Sequence, residues 1–170
     1  MLRVRRQLIA LVRDALFAAL LVMGKEMLAF LPNVEIVTML IMAYTTVYRV
    51  RALVPIYVFV AVEAVIWPSV SGTLMYLYIW LVPWALVMLL PRAWQRLPAY
   101  VGIGTLFGLA FGTLCAPVHA LYFGVYGKGL LTWIAVGFPW DVTHAIGNFA
   151  MAFLTPVICR VLRTLEKQHE

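Results

Sequence analysis

The chain has 170 residues, of which 65% are hydrophobic and 12% charged, with a formal net charge of +6 and a mean hydropathy of +0.97. Because a soluble domain carries about 25% charged residues, this composition excludes an ordinary soluble protein and predicts an all-α integral membrane protein. The excess of basic residues has a use at the surface of the lipid bilayer, so a nucleic-acid partner is not expected.

Six apolar segments predict six transmembrane helices within a single domain, residues 1–170. Each crossing of the bilayer needs roughly 20 apolar residues, and the second and third segments are short by that measure. The predicted spans are 7–30, 34–48, 52–67, 72–90, 99–123 and 139–163.

The basic residues indicate that both termini lie on the same, cytoplasmic side. Lys and Arg concentrate in the cytoplasmic loops of membrane proteins. With six spans only Lys25 and Lys128 fall on the outer side. The other Lys and Arg residues fall on the inner side: Arg3, Arg5, Arg6, Arg13, Arg49, Arg51, Arg92, Arg96, Arg160, Arg163 and Lys167.

The first helix carries two alanines four residues apart, Ala15 and Ala19. Small residues at this spacing allow another helix to approach closely in lipid. Packing inside the bundle and packing against a separate partner both explain the pair.

The link to the second helix contains Pro32, Asn33 and Glu35. Proline ends the first helix, and Asn33 is predicted to be the N-cap of the second. Glu35 in the first turn suits the helix dipole. Alternatively, Asn33, Glu35 and Thr38 reach into a pocket at the outer surface.

The third and fourth helices supply a carboxylate and an aromatic ridge. Glu63, on the third helix, lies past the midplane of the bilayer. An ionisable group at that depth in the membrane is costly and is typical of a ligand or ion site. A protonated Glu63 that binds a Tyr or His of the bundle is the alternative. Tyr76, Trp80 and Trp84 follow one another at i, i+4 and i+8 on the fourth helix. Such a ridge can stack a flat ring, although core packing accounts for it equally well.

The fifth helix combines a glycine stripe with a histidine. Gly104, Gly108 and Gly112 lie four residues apart, which predicts close packing against a neighbouring backbone. His119, nearer the outer end, is a candidate partner for residues of the sixth helix, although a single histidine on an apolar helix is more often structural. We expect the following segment, 124–137, to be a loop or a short interfacial helix that forms part of a lid.

The sixth helix carries the main polar cluster of the predicted membrane interior. Asp141, His144 and Asn148 fall at i, i+3 and i+7 and therefore share one helix face. We place Pro139 in the first turn, where its missing N–H costs nothing. A position near the helix N-terminus would account for Asp141 alone. It does not account for Asn148, two turns deeper, so the stripe predicts a ligand site.

The alanine pair, the six-helix layout and the stretch Gly137-Phe-Pro-Trp-Asp141-x-x-His144-x-x-x-Asn148 together resemble the S-component of energy-coupling factor (ECF) vitamin transporters. The resemblance covers essentially the whole chain. It implies a multi-pass protein of the bacterial cytoplasmic membrane that binds a small-molecule micronutrient in an outward-facing pocket. It also implies that Ala15 and Ala19 face a transmembrane scaffold subunit, which couples to two ATPase subunits.

The candidate ligand-binding residues are Asp141, His144, Asn148, Glu63, Trp80, Tyr76, Trp84, His119, Asn33 and Glu35. The chain has no GxxxxGK[ST] pattern, so no P-loop ATPase is predicted within it, and no cofactor or metal is expected. Two alternatives remain. One is a small intramembrane enzyme that uses Glu63, His119, Asp141 and His144, and the other is a small self-associating transporter.

Overall fold

The computed structural model describes the backbone of residues 2–167, which is mostly helical and contains no β-strand within that range. The side chains of Arg3 and Arg6, two of the predicted inner basic residues, lie outside what it describes. The α-helices are α1 (Leu2–Met27), α2 (Val37–Tyr48), α3 (Leu53–Ile66), α4 (Val70–Ile79), α5 (Leu81–Leu89), α6 (Leu97–Phe123), α7 (Lys128–Ala152) and α8 (Thr155–Lys167). Short 3₁₀ turns cover Arg49–Ala52 and Arg92–Trp94.

Proline, serine and glycine set several helix boundaries. Ser69 caps α4 by accepting a hydrogen bond from the Gly72 N–H at 3.2 Å. Pro83 cannot donate to the Ile79 carbonyl, and the chain breaks between α4 and α5 at this point. Gly124 ends α6 with a φ of 67°, a left-handed conformation that glycine adopts without steric cost.

Three to four helical segments are long and apolar enough to cross a membrane, as expected of a membrane protein. They are Gln7–Met27, Val70–Leu89 and Leu97–Phe123, with the pair Lys128–Ala152 and Thr155–Lys167 as a fourth. The members of that pair are bent by 47°. If α4 with α5 and α7 with α8 each count as one rod, the described chain has six rods, the number predicted from the sequence.

The predicted second and third spans correspond to short helices, α2 with 12 residues and α3 with 14. At 1.5 Å per residue, α2 is about 18 Å long, less than the roughly 30 Å of a bilayer core. Every α2 residue except Val47 is buried. Other helices surround α2 along its length. It therefore forms the centre of the bundle and has little exposed surface.

The segment after Gly124 does not form the predicted loop. Helix α7 begins at Lys128 and continues through Pro139, so this proline lies in the helix interior and not in a first turn. Neighbouring helices in a membrane bundle can satisfy the backbone groups that an internal proline frees, which is why proline is a weak boundary signal here. The predicted lid segment is therefore largely part of α7.

The glycine stripe of α6 packs tightly on α7, as predicted. A Cβ added at Gly108 would lie 2.6 Å from the Ala145 Cα and 2.9 Å from the His144 carbonyl carbon. Both are backbone atoms, which cannot move aside as a flexible side chain can. The stripe thus fixes the position of the polar face of α7.

Ion pairs at one end of the bundle link α1 both to the 3₁₀ turn that follows α2 and to α8. Arg51 Nε lies 2.8 Å from Asp14 Oδ2, and Arg13 lies 3.8 Å from Glu166. Arg49 donates to the Met88 carbonyl at 2.9 Å, which brings the end of α5 to the same place. We call this the basic end, and it contains the groups that the sequence places in the cytoplasm.

Candidate functional site

The α7 stripe lies inside the protein on one helix face, as the spacing predicts. Asp141, His144 and Asn148 are 4%, 3% and 2% exposed. Asp141 Oδ1 accepts a hydrogen bond from the Gly112 N–H at 2.9 Å. A Cβ at Gly112 would lie 2.7 Å from Asp141 Oδ2, so a larger residue there would force the Asp141 carboxylate to shift. The explanation of Asp141 by a helix N-terminus is wrong, because α7 begins at Lys128.

Glu35 connects the loop before α2 to His144. Its Oε2 accepts the Thr38 N–H at 2.8 Å, and its Oε1 lies 2.5 Å from Thr38 Oγ1 and 3.2 Å from His144 Nε2. Glu35 therefore both caps the start of α2 and reaches the α7 stripe. Glu35 does not lie in the first turn of α2, as the sequence predicted, because the helix begins only at Val37.

Asn33 is not the N-cap of α2, which is the position of Ile36. Asn33 adopts a φ of 58° and donates from Nδ2 to the Trp140 carbonyl at 3.0 Å. The loop crosses α7 before α2 begins and packs on Gly147, where an added Cβ would lie 3.5 Å from the Val34 Cα. Asn33 thus fixes the loop over the stripe, and the side chain itself is exposed.

Several buried polar atoms around the stripe have no hydrogen-bond partner among the described residues. They are Asp141 Oδ2, His144 Nδ1, Trp80 Nε1 and both amide atoms of Asn148. Most buried polar groups in folded proteins are hydrogen-bonded, and each exception requires an explanation. Donors and acceptors are both present, so a molecule with complementary groups would satisfy them.

An aromatic row joins the stripe to α4. The Phe111 ring lies edge-on to His144 at 4.6 Å, Trp80 lies 6.4 Å from Phe111, and Tyr76 meets Trp80 at 5.4 Å. The first two members of the predicted ridge, Tyr76 and Trp80, therefore belong to the site region. Phe111 was not identified from the sequence, because nothing marks one phenylalanine among many as facing a histidine.

Trp84, the third member of the predicted ridge, lies apart from the site. Its Nε1 donates to the Arg49 carbonyl at 3.3 Å, which places it at the basic end. Trp84 follows Trp80 by one helical turn, as the spacing predicts. That turn, however, places its side chain at the basic end and away from the site.

Glu63 lies in the last turn of α3, is 3% exposed and forms an ion pair with Lys25. Lys25 also contacts Glu26 at 2.9 Å. A cleft of about 150 Å³ opens beside them, with Trp67 and Tyr76 among its lining residues. A tyrosine or histidine partner for Glu63 was the sequence-based alternative, and the structure provides a lysine instead.

His119 does not join Asp141 and His144. Its ring stacks on Trp133 at 4.0 Å with an interplanar angle of 17°, nearer the α6–α7 turn. Within residues 2–167, no three His, Cys, Asp or Glu side chains are close enough to hold a metal ion. The four residues of the intramembrane-enzyme alternative therefore do not form one centre.

Ala15 and Ala19 lie on the exposed face of α1, together with Leu11 and Leu16. The neighbouring Ala18 points into the bundle and is buried. Packing inside the bundle therefore does not explain the alanine pair. The pair belongs to the exposed apolar face of α1.

Sequence reasoning did not identify Lys25 as the partner of Glu63, because the two are far apart in the chain. The one available signal was that Lys25 is one of only two basic residues expected on the outer side. Comparisons of this chain with protein-family models, with curated proteins and with solved structures found no match.

Proposed function

We propose that this chain is the substrate-binding membrane subunit of an ECF-type importer, which captures a vitamin or related micronutrient. The observation that carries the proposal is the set of unpartnered, buried polar atoms on Asp141, His144, Asn148 and Trp80. Leaving a buried donor or acceptor without a partner costs about 1–3 kcal/mol. A ligand that satisfies these atoms recovers that free energy on binding.

The ligand that fits this chemistry is small, partly aromatic and rich in hydrogen-bonding groups. The aromatic row of Tyr76, Trp80 and Phe111 offers ring faces and edges, while the α7 stripe offers polar atoms at one end of the row. Small-molecule sites generally combine mostly apolar walls with a few convergent polar groups. Glu35 lies in the loop over the stripe, so movement of this loop would admit the ligand.

The exposed alanine face of α1 supports a separate docking role. Ala15 and Ala19 leave a shallow surface between larger exposed side chains such as Leu11 and Leu16. In lipid, helices associate through close packing at small residues. A scaffold subunit bound here leaves the ligand site free, and two ATPase subunits attached to the scaffold supply the energy for import.

Affinity purification of the full chain from its native membrane in mild detergent tests the proposal. We expect a membrane scaffold and two ATPases to copurify, and mass spectrometry of the denatured complex to release a small molecule. Recovery of the chain without subunits and without any ligand would contradict the proposal.

A double substitution separates docking from ligand binding. Ala15→Trp together with Ala19→Trp adds bulk to the docking face, so scaffold recovery should fall at least tenfold while ligand binding stays intact. Leu20→Trp is the control, since Leu20 is exposed but lies about 100° around the helix from Ala19. Equal scaffold recovery from the double variant and the control would show that docking uses another surface.

Self-association is the second candidate, and the same exposed face of α1 favours it. A second copy could pack its own Ala15 and Ala19 against the first. Light scattering of the detergent-solubilised chain distinguishes the two: a dimer that the double substitution dissociates indicates self-association, and a monomer supports the importer subunit.

A further inference from the structure

Lys25 places a positive charge inside the cleft between α1, α3 and α4. Its ammonium contacts Glu63 and Glu26 and lies 5.5 Å from the centroid of the Trp67 ring. Lys25, Glu63, Trp67 and Tyr76 all line the cleft. The protein therefore presents a cation to two carboxylates and an aromatic face, which is the environment that binds organic ammonium groups.

The carboxylates of this cleft offer more acceptor oxygens than the Lys25 ammonium contacts. Glu63 is 3% exposed, yet its Oε1 has no hydrogen-bond partner among the described residues. Glu26 accepts a second hydrogen bond, from Trp67 Nε1 at 3.0 Å. Two carboxylates thus face one ammonium, and a buried carboxylate oxygen is left for a donor from outside the protein.

We propose that the cleft takes an organic monocation, an ammonium or amidinium group carried on a planar ring, which replaces the Lys25 ammonium at Glu63. This inference rests on the proposed function and names the charge class of its ligand. The cation binds the Glu63 carboxylate, and its ring lies against Tyr76 at the start of the aromatic row.

The Lys25 side chain is placed so that its ammonium can move away from Glu63. Its side chain is 23% exposed and belongs to the last turns of α1, which ends at Met27. The ammonium can therefore turn into solvent without unfolding a helix. In the empty protein Lys25 prevents Glu63 from remaining a buried charge without a counterion, a situation that strongly destabilises folded proteins.

An inorganic cation fits the cleft less well. A metal ion requires several oxygen or nitrogen ligands around it, and residues 2–167 contain no group of three His, Cys, Asp or Glu side chains suited to one. Besides Ser69 and Thr73, the walls of the cleft include aromatic and aliphatic side chains, with Val60 and Ala64 beside Trp67 and Tyr76. These walls match the body of an organic cation.

Lys25 acts as a tethered competitor, which gives a direct test. A tethered group has an effective concentration in the millimolar range, so its removal increases the affinity of a weak external cation. We would titrate the purified full chain with benzylammonium by calorimetry, with benzyl alcohol as the uncharged probe and sodium ion as the inorganic one. Lys25→Met should bind benzylammonium about tenfold more tightly than the unmodified chain does.

Three controls complete the experiment. Lys128→Met removes an exposed lysine elsewhere and should leave the benzylammonium affinity unchanged. Glu63→Gln should abolish benzylammonium binding both in the otherwise unmodified chain and in combination with Lys25→Met. If Lys25→Met does not fold, Lys25→Gln retains a donor for Glu63 and should show the same direction of change.

The outcomes separate this inference from the proposed function. Equal binding of benzyl alcohol and benzylammonium, displacement of benzylammonium by sodium at equal concentration, or no gain in either Lys25 variant would overturn the cation assignment. A neutral or anionic copurified ligand would overturn it as well, while leaving the importer subunit intact. Failure to recover any scaffold would instead count against the importer and leave the cation site standing.

Discussion

At the residue scale, the buried polar groups are of two kinds, those with hydrogen-bond partners and those without. Asp14 is 2% exposed and fully engaged: Arg51 Nε lies 2.8 Å from one oxygen, and Tyr44 and Arg13 contact the other. Asn148 is equally buried, yet neither of its amide atoms has a partner within the described chain. The first residue stabilises the fold, whereas the second carries a free-energy cost that the proposed ligand would offset.

Tyr44→Phe should destabilise the protein by about 1–3 kcal/mol, because it removes a hydrogen bond to the buried Asp14 carboxylate. The midpoint of thermal unfolding in detergent measures the effect. Tyr57→Phe is the matched control, since the Tyr57 hydroxyl bonds the Leu77 carbonyl at an exposed position and its loss should have little effect. Equal shifts for the two variants would show that the Asp14 cluster adds no particular stability.

Asn148→Leu should raise the stability of the ligand-free protein by about 1 kcal/mol and at the same time weaken ligand binding at least tenfold. The substitution removes two buried polar atoms without partners while keeping a side chain of similar shape. Thermal unfolding with and without the copurified ligand measures both effects. Thr143→Val, on the exposed side of α7, should change neither. A loss of stability without ligand would mean that Asn148 is structural.

At the element scale, the α6–α7 pair positions the site. Gly104, Gly108 and Gly112 bring the α7 backbone close enough for Asp141 to reach the Gly112 N–H. The loop before α2 then places Glu35 against His144 from a third direction. The position of the α7 stripe therefore depends on the spacing between α6 and α7.

Gly108→Ala should destabilise the protein by about 1–3 kcal/mol, because the new Cβ would overlap backbone atoms of α7. Gly102→Ala provides the control in the same helix: no atom lies within 4 Å of its added Cβ, and alanine is the better helix former. The thermal unfolding midpoint should therefore fall for Gly108→Ala and stay unchanged or rise for Gly102→Ala, so that the two variants differ by several degrees. Indistinguishable midpoints would show that α6 and α7 can separate at little cost.

At the scale of the whole molecule, the two ends of the bundle have different composition. The basic end carries Arg13, Arg49 and Arg51, tied to α8 through Glu166. The opposite end carries the Lys25–Glu63 cleft and the loop over the α7 stripe. The proposed importer function would use this division, because the ligand of an importer arrives on one side of the membrane and its energy is supplied on the other.

Cysteine labelling tests which end faces the cytoplasm. Lys128→Cys should react with a membrane-impermeant maleimide on intact cells, whereas Thr164→Cys should react only after permeabilisation. Both positions are exposed, while the native Cys115 and Cys159 are buried and should give a low background. The reverse labelling pattern would invert the topology and place the candidate site inside the cell.

Much of the local organisation could be predicted from the sequence, because helical periodicity depends on neighbouring residues alone. Asp141, His144 and Asn148 share a face because of their spacing, and glycines four residues apart form a groove in any α-helix. Pro139 misled the prediction of a helix start, because the packed bundle accommodates a proline within α7. His119 lies on the predicted helix but faces Trp133, a partner that periodicity cannot identify.

The sequence by itself determined an apolar, all-helical chain, the polar stripe of α7 and the glycine stripe of α6. Only the tertiary structure decided which side chains meet: Glu63 with Lys25, and Glu35 with His144. These contacts join residues that are distant in the chain. They depend on the register and tilt of packed helices, which no local pattern of residues specifies.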